Sequence, residues 1–366
     1  MNKIKAVGII GSGINTAHIA TLCALKNFQI RIYDLFKDSL NMTSARTEWM
    51  LKDNPTAVKN IESVQEIDKL SGADIILQVD DYKAEDKFAL FKKLSEIIPS
   101  PRIIALNCYA ETITDFVSEM VSPERFTAFC FNASGGETSL VEIIKTKYAD
   151  ADTLENSAMF LKTLGNVPLI VEDMSGLVIG RLRRSFIASA ARILEKGKGL
   201  PFEIDNAFKK LTGCGKGPFE TVDELGLDKN FKLAKCMSEN LDKAERLKIS
   251  SIEDRLTQYG YLGKKSGLGF YIYDEGKIAG QNPMLKDIVS YLGISKIDEN
   301  EVALTILKDI SKEAELVSKD MEIPPDIIDE SVKLVFGWKL GPFGFAEKFK
   351  DLLTAADTKD DWGDAL

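Results

Sequence analysis

The chain has 366 residues, of which 45% are hydrophobic and 28% charged, the make-up of a soluble protein with two or three globular domains. A net charge of −9 argues against nucleic acid as a partner, which needs clustered Lys and Arg, but leaves room for a local pocket that takes an anionic small ligand. One histidine and five scattered cysteines without C-x-x-C spacing give no metal-ligand set and fit reduced thiols in a cytoplasmic protein.

No apolar run reaches the roughly 18–20 residues that cross a bilayer, so no membrane association is expected. The basic, apolar start at Met1 runs into a glycine turn instead of a small-residue cleavage site, and reads as a first strand, not a signal peptide.

In chain order, Ile4–Ile10 is a continuous apolar strand, Ile14–Asn27 has helical spacing, and Ile30–Asp34 is a second strand. Further strands are expected at Ala73–Val79, Arg102–Cys108, Phe126–Phe131, Leu140–Ile144 and Pro168–Val171. Strands alternating with helices predict a mostly parallel sheet covered on both faces.

From Met174 onward the pattern turns helical, beginning with a long helix at Leu177–Glu195. Arg181, Arg183 and Arg184 open that helix, either as a solvated cluster or as a contact for an acidic ligand. Ile204-Asp205, Lys209, Gly213 and Gly217-Pro218-Phe219 recur at the same offsets as Ile328-Asp329, Lys333, Gly337 and Gly341-Pro342-Phe343. The repeat predicts two copies of one small helical module. The expected architecture is therefore an α/β Rossmann domain over residues 1–173 and an all-α C-terminal part. That part comprises a module at 174–285 and its second copy at 296–366, with a linker around Gly280–Glu299.

Gly11-Ser12-Gly13-Ile14-Asn15-Thr16 falls between strand and helix, where a Rossmann fold holds a diphosphate. Glycine at the first two positions allows the tight turn and close backbone approach, and the first helical N–H groups face the negative charge. Asp34 closes the second strand about 20 residues on, where a carboxylate accepts from the adenosine ribose and repels a 2′-phosphate. NAD is thus expected over NADP. Thr16 departs from the pattern, standing where a third glycine usually packs helix against strand.

Nearly end to end, the chain resembles the 3-hydroxyacyl-CoA dehydrogenase family, in the form with two C-terminal helical modules. The likeness rests on Gly11–Ala20 with Asp34, on Leu140-Val-Glu-Ile-Ile-Lys-Thr146, on Gly217-Pro-Phe219, and above all on Gly263-Lys-Lys-Ser-Gly-Leu-Gly-Phe-Tyr271. It implies that Asp34, Lys87, Asn132 and Lys265 lie around the cofactor. Tyr82 stands where a glutamate is usual, and Tyr109 where the family has a serine near nicotinamide and substrate.

The family oxidises a 3-hydroxyl with a histidine as general base, oriented by a glutamate. Glu142 matches that glutamate. The histidine segment reads Phe129-Cys-Phe-Asn132 here: aligned on Asn132 it puts Phe129 in the histidine's place, and counted back from Glu142 it puts Cys130 there. The substrate-side asparagine is missing from Gly176-Leu-Val-Ile-Gly180-Arg181, and the stretch between Asp34 and Ala73 is shorter than the family's.

His18 is expected beside the phosphate loop, and Cys130 as a strand thiol. Tyr109 either donates a phenolic proton or fills space. The implied activity is NAD-linked conversion of (S)-3-hydroxyacyl-CoA to 3-oxoacyl-CoA in fatty acid metabolism, with Glu142 and Tyr109 as catalytic candidates. Two alternatives are a non-catalytic NAD-binding relative with a regulatory or scaffolding role, and a dehydrogenase of another small hydroxy substrate. One-module relatives dimerise through the helical module, so a second copy in the same chain implies a monomer with an internal pseudo-dimer; the alternative is a homodimer.

Overall fold

The computed structural model describes residues 4–79, 82–132, 138–241, 244–285 and 297–357. The chain divides into two units, Met1–Met174 and Ser175–Leu366. In the first, the strands are β1 (Ala6–Ile10), β2 (Gln29–Tyr33), β3 (Ile61–Ser63), β4 (Ile75–Gln78), β5 (Ile103–Asn107), β6 (Phe126–Asn132), β7 (Leu140–Lys145) and β8 (Val167–Glu172). They form one sheet in the order β3-β2-β1-β4-β5-β6-β7-β8. β1 to β6 run parallel, and the chain reverses so that β7 lies antiparallel to β6 and parallel to β8.

The first six strands have the doubly wound order of a dinucleotide-binding sheet, with the switch point between β1 and β4. β1 is an unbroken apolar run because both of its faces are covered, as parallel strands require. Gly8 in its middle has a packing reason: a Cβ there would come 2.5 Å from Ile76 Cδ1 on β4. The helices of this unit are α1 (Ile14–Leu25), α2 (Lys37–Met50), α3 (Pro55–Val58), α4 (Ala84–Ile97), α5 (Thr114–Ser118) and α6 (Ala151–Thr163). On α1 the small residues Ala17, Ala20 and Ala24 recur at helical spacing and are buried, which lets the helix lie close to the sheet.

In the second unit, α7 (Leu177–Glu195), α8 (Pro201–Thr212), α9 (Pro218–Leu225), α10 (Leu227–Asn240) and α11 (Ser251–Gln258) precede a hairpin of β9 (Tyr271–Asp274) and β10 (Lys277–Gln281). Helices Glu299–Met321, Pro325–Phe336, Pro342–Lys348 and Lys350–Asp357 follow. The helical expectation holds apart from that hairpin, whose Glu275-Gly276 turn adopts positive φ at both residues. The predicted linker around Gly280–Glu299 overlaps β10 at its start, and its residues 286–296 lie outside the described residues.

The sequence repeat is a structural one. Asp205 on α8 accepts from the amides of Phe219 and Glu220 at 2.9 Å each, and so holds the start of α9. Asp329 does the same for Phe343 and Gly344 at 2.9 and 2.8 Å. A Cβ at Gly217 or Gly341 would collide with the corresponding aspartate, which is why Gly-Pro-Phe recurs. Gly213 and Gly337 end their helices in the left-handed region.

Two of the three arginines that open α7, Arg181 and Arg184, are buried in ion pairs, and Arg183 is half-buried. Arg181 donates from Nε to Glu313 at 2.7 Å and from Nη1 to Asp320 at 2.8 Å, both on the Glu299–Met321 helix. Arg184 is fully buried and donates to both oxygens of Glu253, at 2.6 and 2.9 Å. Arg183 lies over the Phe336 ring at 5.5 Å. Trp338 packs among Phe186, Phe208, Phe336 and Phe345, so the two modules share one aromatic core.

Candidate active site

Because β1 to β6 are parallel, their carboxyl ends line one edge of the sheet, the edge at which open α/β folds bind ligands. The phosphate-loop candidates come first along it. Gly11 sits at φ +132°, which side chains disfavour, and its N–H donates to Tyr33 O at 2.9 Å. Thr43 of α2 donates to Ser12 O and fixes the loop from the far side. Gly13 caps α1, and no acidic residue lies in the helix's first turn at Ile14, Asn15 and Thr16. The positive end of the helix therefore keeps its pull on an external anion. Thr16 is wholly buried, filling the space between helix and sheet that a third glycine would leave empty.

Asp34 follows β2 and is 3% exposed. Its Oδ1 accepts from Phe36 N at 2.6 Å and its Oδ2 from the Tyr82 hydroxyl at 3.1 Å. Lys87 of α4 donates to Asn107 O at 3.2 Å, and Asn107 in turn donates from Nδ2 to Val79 O at 3.0 Å. This ties the lysine to the ends of β4 and β5.

The next cluster lies where β6 meets β7. Glu142 is fully buried, and Asn132 Nδ2 donates to its Oε2 at 2.8 Å. The antiparallel ladder sets Cys130 directly opposite Glu142, and Phe129 opposite Ile143. Directly opposed residues share a face, so Cys130, Asn132 and Glu142 project to one side. Phe129 projects to the other, into the core with Val141 and Ile143. Of the two positions onto which the histidine segment can be laid, Cys130 is the one that faces Glu142. Cys130 Sγ lies 3.9 Å from Asn132 Nδ2 and 4.0 Å from Tyr109 O, so Tyr109 belongs to the same neighbourhood.

His18 is exposed on α1, away from the Glu142 cluster. Lys265 belongs to the second unit, where its ammonium pairs with both Asp228 oxygens at 2.5 Å. Thr43, Asn107 and the Tyr82–Asp34 bond were not anticipated. Each joins residues far apart in the chain, and nothing in the local sequence pattern signals them.

Residues 6–174 match the family model described as 3-hydroxyacyl-CoA dehydrogenase, NAD binding domain, and residues 176–273 match its C-terminal domain. The chain belongs to the 3-hydroxyacyl-CoA dehydrogenase family. Among curated relatives, 3-hydroxyadipyl-CoA dehydrogenase of Escherichia coli K12 is 28% identical over 282 residues, covering 74% of this chain and 59% of that protein. The chain thus spans about three fifths of that relative's length. Mitochondrial hydroxyacyl-coenzyme A dehydrogenase of Sus scrofa is 28% identical over 287 residues, 74% of this chain and 91% of that one. The solved 3-hydroxybutyryl-CoA dehydrogenase of E. coli K12 shares the fold, with TM-score 0.82 at 21% identity over 95% of this chain and 92% of its own.

NAD is the nucleotide of this 3-hydroxyacyl-CoA dehydrogenase family's N-terminal domain. The strained Gly11, the acid-free first turn of α1 and the Asp34 carboxylate fit it. No group of His, Cys, Asp and Glu among the described residues could hold a metal ion. No helix among them is long and apolar enough to cross a membrane.

Proposed function

We propose that the chain is an NAD-dependent oxidoreductase interconverting (S)-3-hydroxyacyl-CoA and 3-oxoacyl-CoA in fatty acid metabolism, with Glu142 as the proton-accepting side chain. The observation that carries this is a buried carboxylate held by Asn132 on the ligand edge of a dinucleotide-binding sheet. NAD, when bound, supplies the hydride acceptor. Gly11, Ser12, Gly13, Ile14, Asn15 and Thr16 would hold its diphosphate, Asp34 its ribose, and Lys87 and Asn132 would complete its surroundings in this unit.

In the alcohol-oxidising direction Glu142 takes the 3-hydroxyl proton, directly or through a water beside the small Cys130 side chain. Asn132 fixes the carboxylate by donating to Oε2. A carboxylate is a weaker base than imidazole at neutral pH, so turnover is slow beside that of a histidine enzyme. In the reverse direction protonated Glu142 returns that proton to the carbonyl oxygen, and Tyr109, next to Cys130, donates a hydrogen bond to the same oxygen.

A second reading, an NAD-binding relative that regulates or scaffolds without turnover, is favoured by one observation: a thiol, not an imidazole, faces Glu142. A dehydrogenase of a different small hydroxy substrate, using Tyr109, is the third. The protein is cytoplasmic in this proposal. It is also monomeric, because ion pairs such as Arg181–Glu313 and Arg192–Asp309 join the two modules within one chain. A scattering mass of two chains would reverse that.

The test is reduction of acetoacetyl-CoA by NADH, followed by loss of nicotinamide absorbance, alongside calorimetry with each ligand. Turnover supports the enzyme. NADH binding without acetoacetyl-CoA binding or turnover leaves the second reading, or the third if another hydroxy acid is oxidised. No heat with either nicotinamide dinucleotide removes all three.

A further inference from the structure

Cys108 directly follows the carboxyl end of β5, and Cys130 lies near the carboxyl end of β6. The parallel ladder pairs Ile104 with Phe126 and continues through Asn107 with Phe129. Cys108 N donates to Phe129 O at 3.2 Å, so the chain stays bonded to β6 one residue past the last registered pair, and continuing that register would bring Cys108 next to Cys130. Registered residues of neighbouring strands share a face. This face is the one that carries Glu142 opposite Cys130. Strands about 4.8 Å apart bring the two Cα atoms within the separation of about 4.4–6.8 Å that a disulfide spans.

Both side chains also reach into one short turn. Cys108 Sγ donates to Glu111 O at 2.9 Å and Cys130 Sγ to Tyr109 O at 4.0 Å. Both are buried, at 5% and 4% exposure.

We propose that Cys108 and Cys130 form a reversible disulfide when a hydroperoxide reaches them, a modification site built into the Glu142 cluster. One thiol attacks the peroxide: an S–O bond forms, the O–O bond breaks, and the thiol's proton passes to the departing oxygen, which leaves as alcohol or water and leaves a sulfenic acid behind. The second thiol attacks that sulfur: the S–S bond forms, the S–O bond breaks, and its proton leaves with the departing water. The sulfur pair loses two electrons, which the O–O bond takes up.

The remaining cysteines have no such arrangement. Burial pushes the Cys23 thiol far up and holds it protonated, and pushes the Cys214 thiol up to about 11. Cys236 is half-buried beside Ser175 Oγ at 3.3 Å and serves as an internal control. The consequence for function rests on the reading above: a bridge draws Cys130 towards β5 and pins the turn at Tyr109, altering the space in front of Glu142.

The experiment treats the full chain with a few equivalents of hydrogen peroxide, then denatures and alkylates it with N-ethylmaleimide for mass spectrometry. The expected result is an intact mass lower by two hydrogens, two fewer alkylations, and one cross-linked peptide pair containing Cys108 and Cys130, all reversed by dithiothreitol. Cys108→Ser is expected to lose the cross-link and to carry Cys130 on to the sulfinic acid instead. Alkylation of both Cys108 and Cys130 while Cys236 is oxidised would overturn the proposal. So would sulfinic acid forming on Cys130 equally fast in wild type and Cys108→Ser. Because the readout is mass, its result does not depend on whether the chain reduces acetoacetyl-CoA.

Discussion

The Tyr82 hydroxyl donates to Asp34 Oδ2 at 3.1 Å while the Phe36 amide holds Oδ1, and the carboxylate is left closed to solvent. In the proposed site, ribose hydroxyls compete with the tyrosine for Oδ2. Exchange of one hydrogen bond for another subtracts from cofactor affinity, since a net hydrogen bond is worth about 1 kcal/mol. Tyr82→Phe should therefore tighten NADH binding by roughly fivefold, read by calorimetry. Weaker binding would mean that the phenol touches the nucleotide. Asp34→Asn should lower NADH affinity and narrow the preference over NADPH.

Cys130→His sets an imidazole opposite Glu142. If the carboxylate acts as base only for want of that ring, the variant should raise kcat on acetoacetyl-CoA by on the order of 10²-fold. Glu142→Gln should abolish activity in either background while leaving NADH affinity intact. A folded, NADH-binding Cys130→His protein without gain would count against the 3-oxoacyl reading of the site.

The module repeat gives a stability prediction with its own control. Gly217→Ala and Gly341→Ala drive a methyl into Asp205 and Asp329, the aspartates that hold the next helix. Each should lose about 2 kcal/mol or more, as overpacking does. Gly215→Ala, whose methyl meets nothing, should stay within about 1 kcal/mol. Urea midpoints of the three variants decide it.

Burial pushes the Asp205 carboxyl up to about 7, outweighing the amides of Phe219 and Glu220 and the Tyr271 hydroxyl that donate to it. Asp223, which accepts from the Phe270 and Tyr271 amides, is pushed up by burial to about 6. Between the ordinary aspartate value and these, the folded unit keeps protons that the unfolded chain has released. Stability of the second unit should then fall as pH rises from about 4 to about 7 and level off above. The slope is at most about 1.4 kcal/mol per pH unit for each proton. Hydrogen exchange at the Phe270 and Tyr271 amides measures it, and stability rising across that window would refute it.

Legibility in the sequence followed the range of the interaction. β1, α1 and the Gly11 loop were readable because their signals are local: an apolar run, helical spacing and a glycine turn. β3 was not, since Ile61–Ser63 is a three-residue strand with Glu62 and Ser63 exposed. The Asp205–Gly217 relation appeared only as a repeated spacing, and its steric cause needed the fold. Whether Phe129 or Cys130 faces Glu142 turns on a register of one residue, which flips the side chain through the sheet. Arg181 looked like a surface cation because its carboxylates lie more than a hundred positions away.

That last arrangement constrains any attempt to shorten the protein. Arg181 and Glu313 are both shut away from water, so removing the Glu313 side chain alone would leave a buried guanidinium without one of its two carboxylates. Losing one partner of such a pair costs about 3–5 kcal/mol, a large share of what holds a domain together. The second module is thus a structural dependency of the first, and a stable fragment should need the Glu299–Met321 helix.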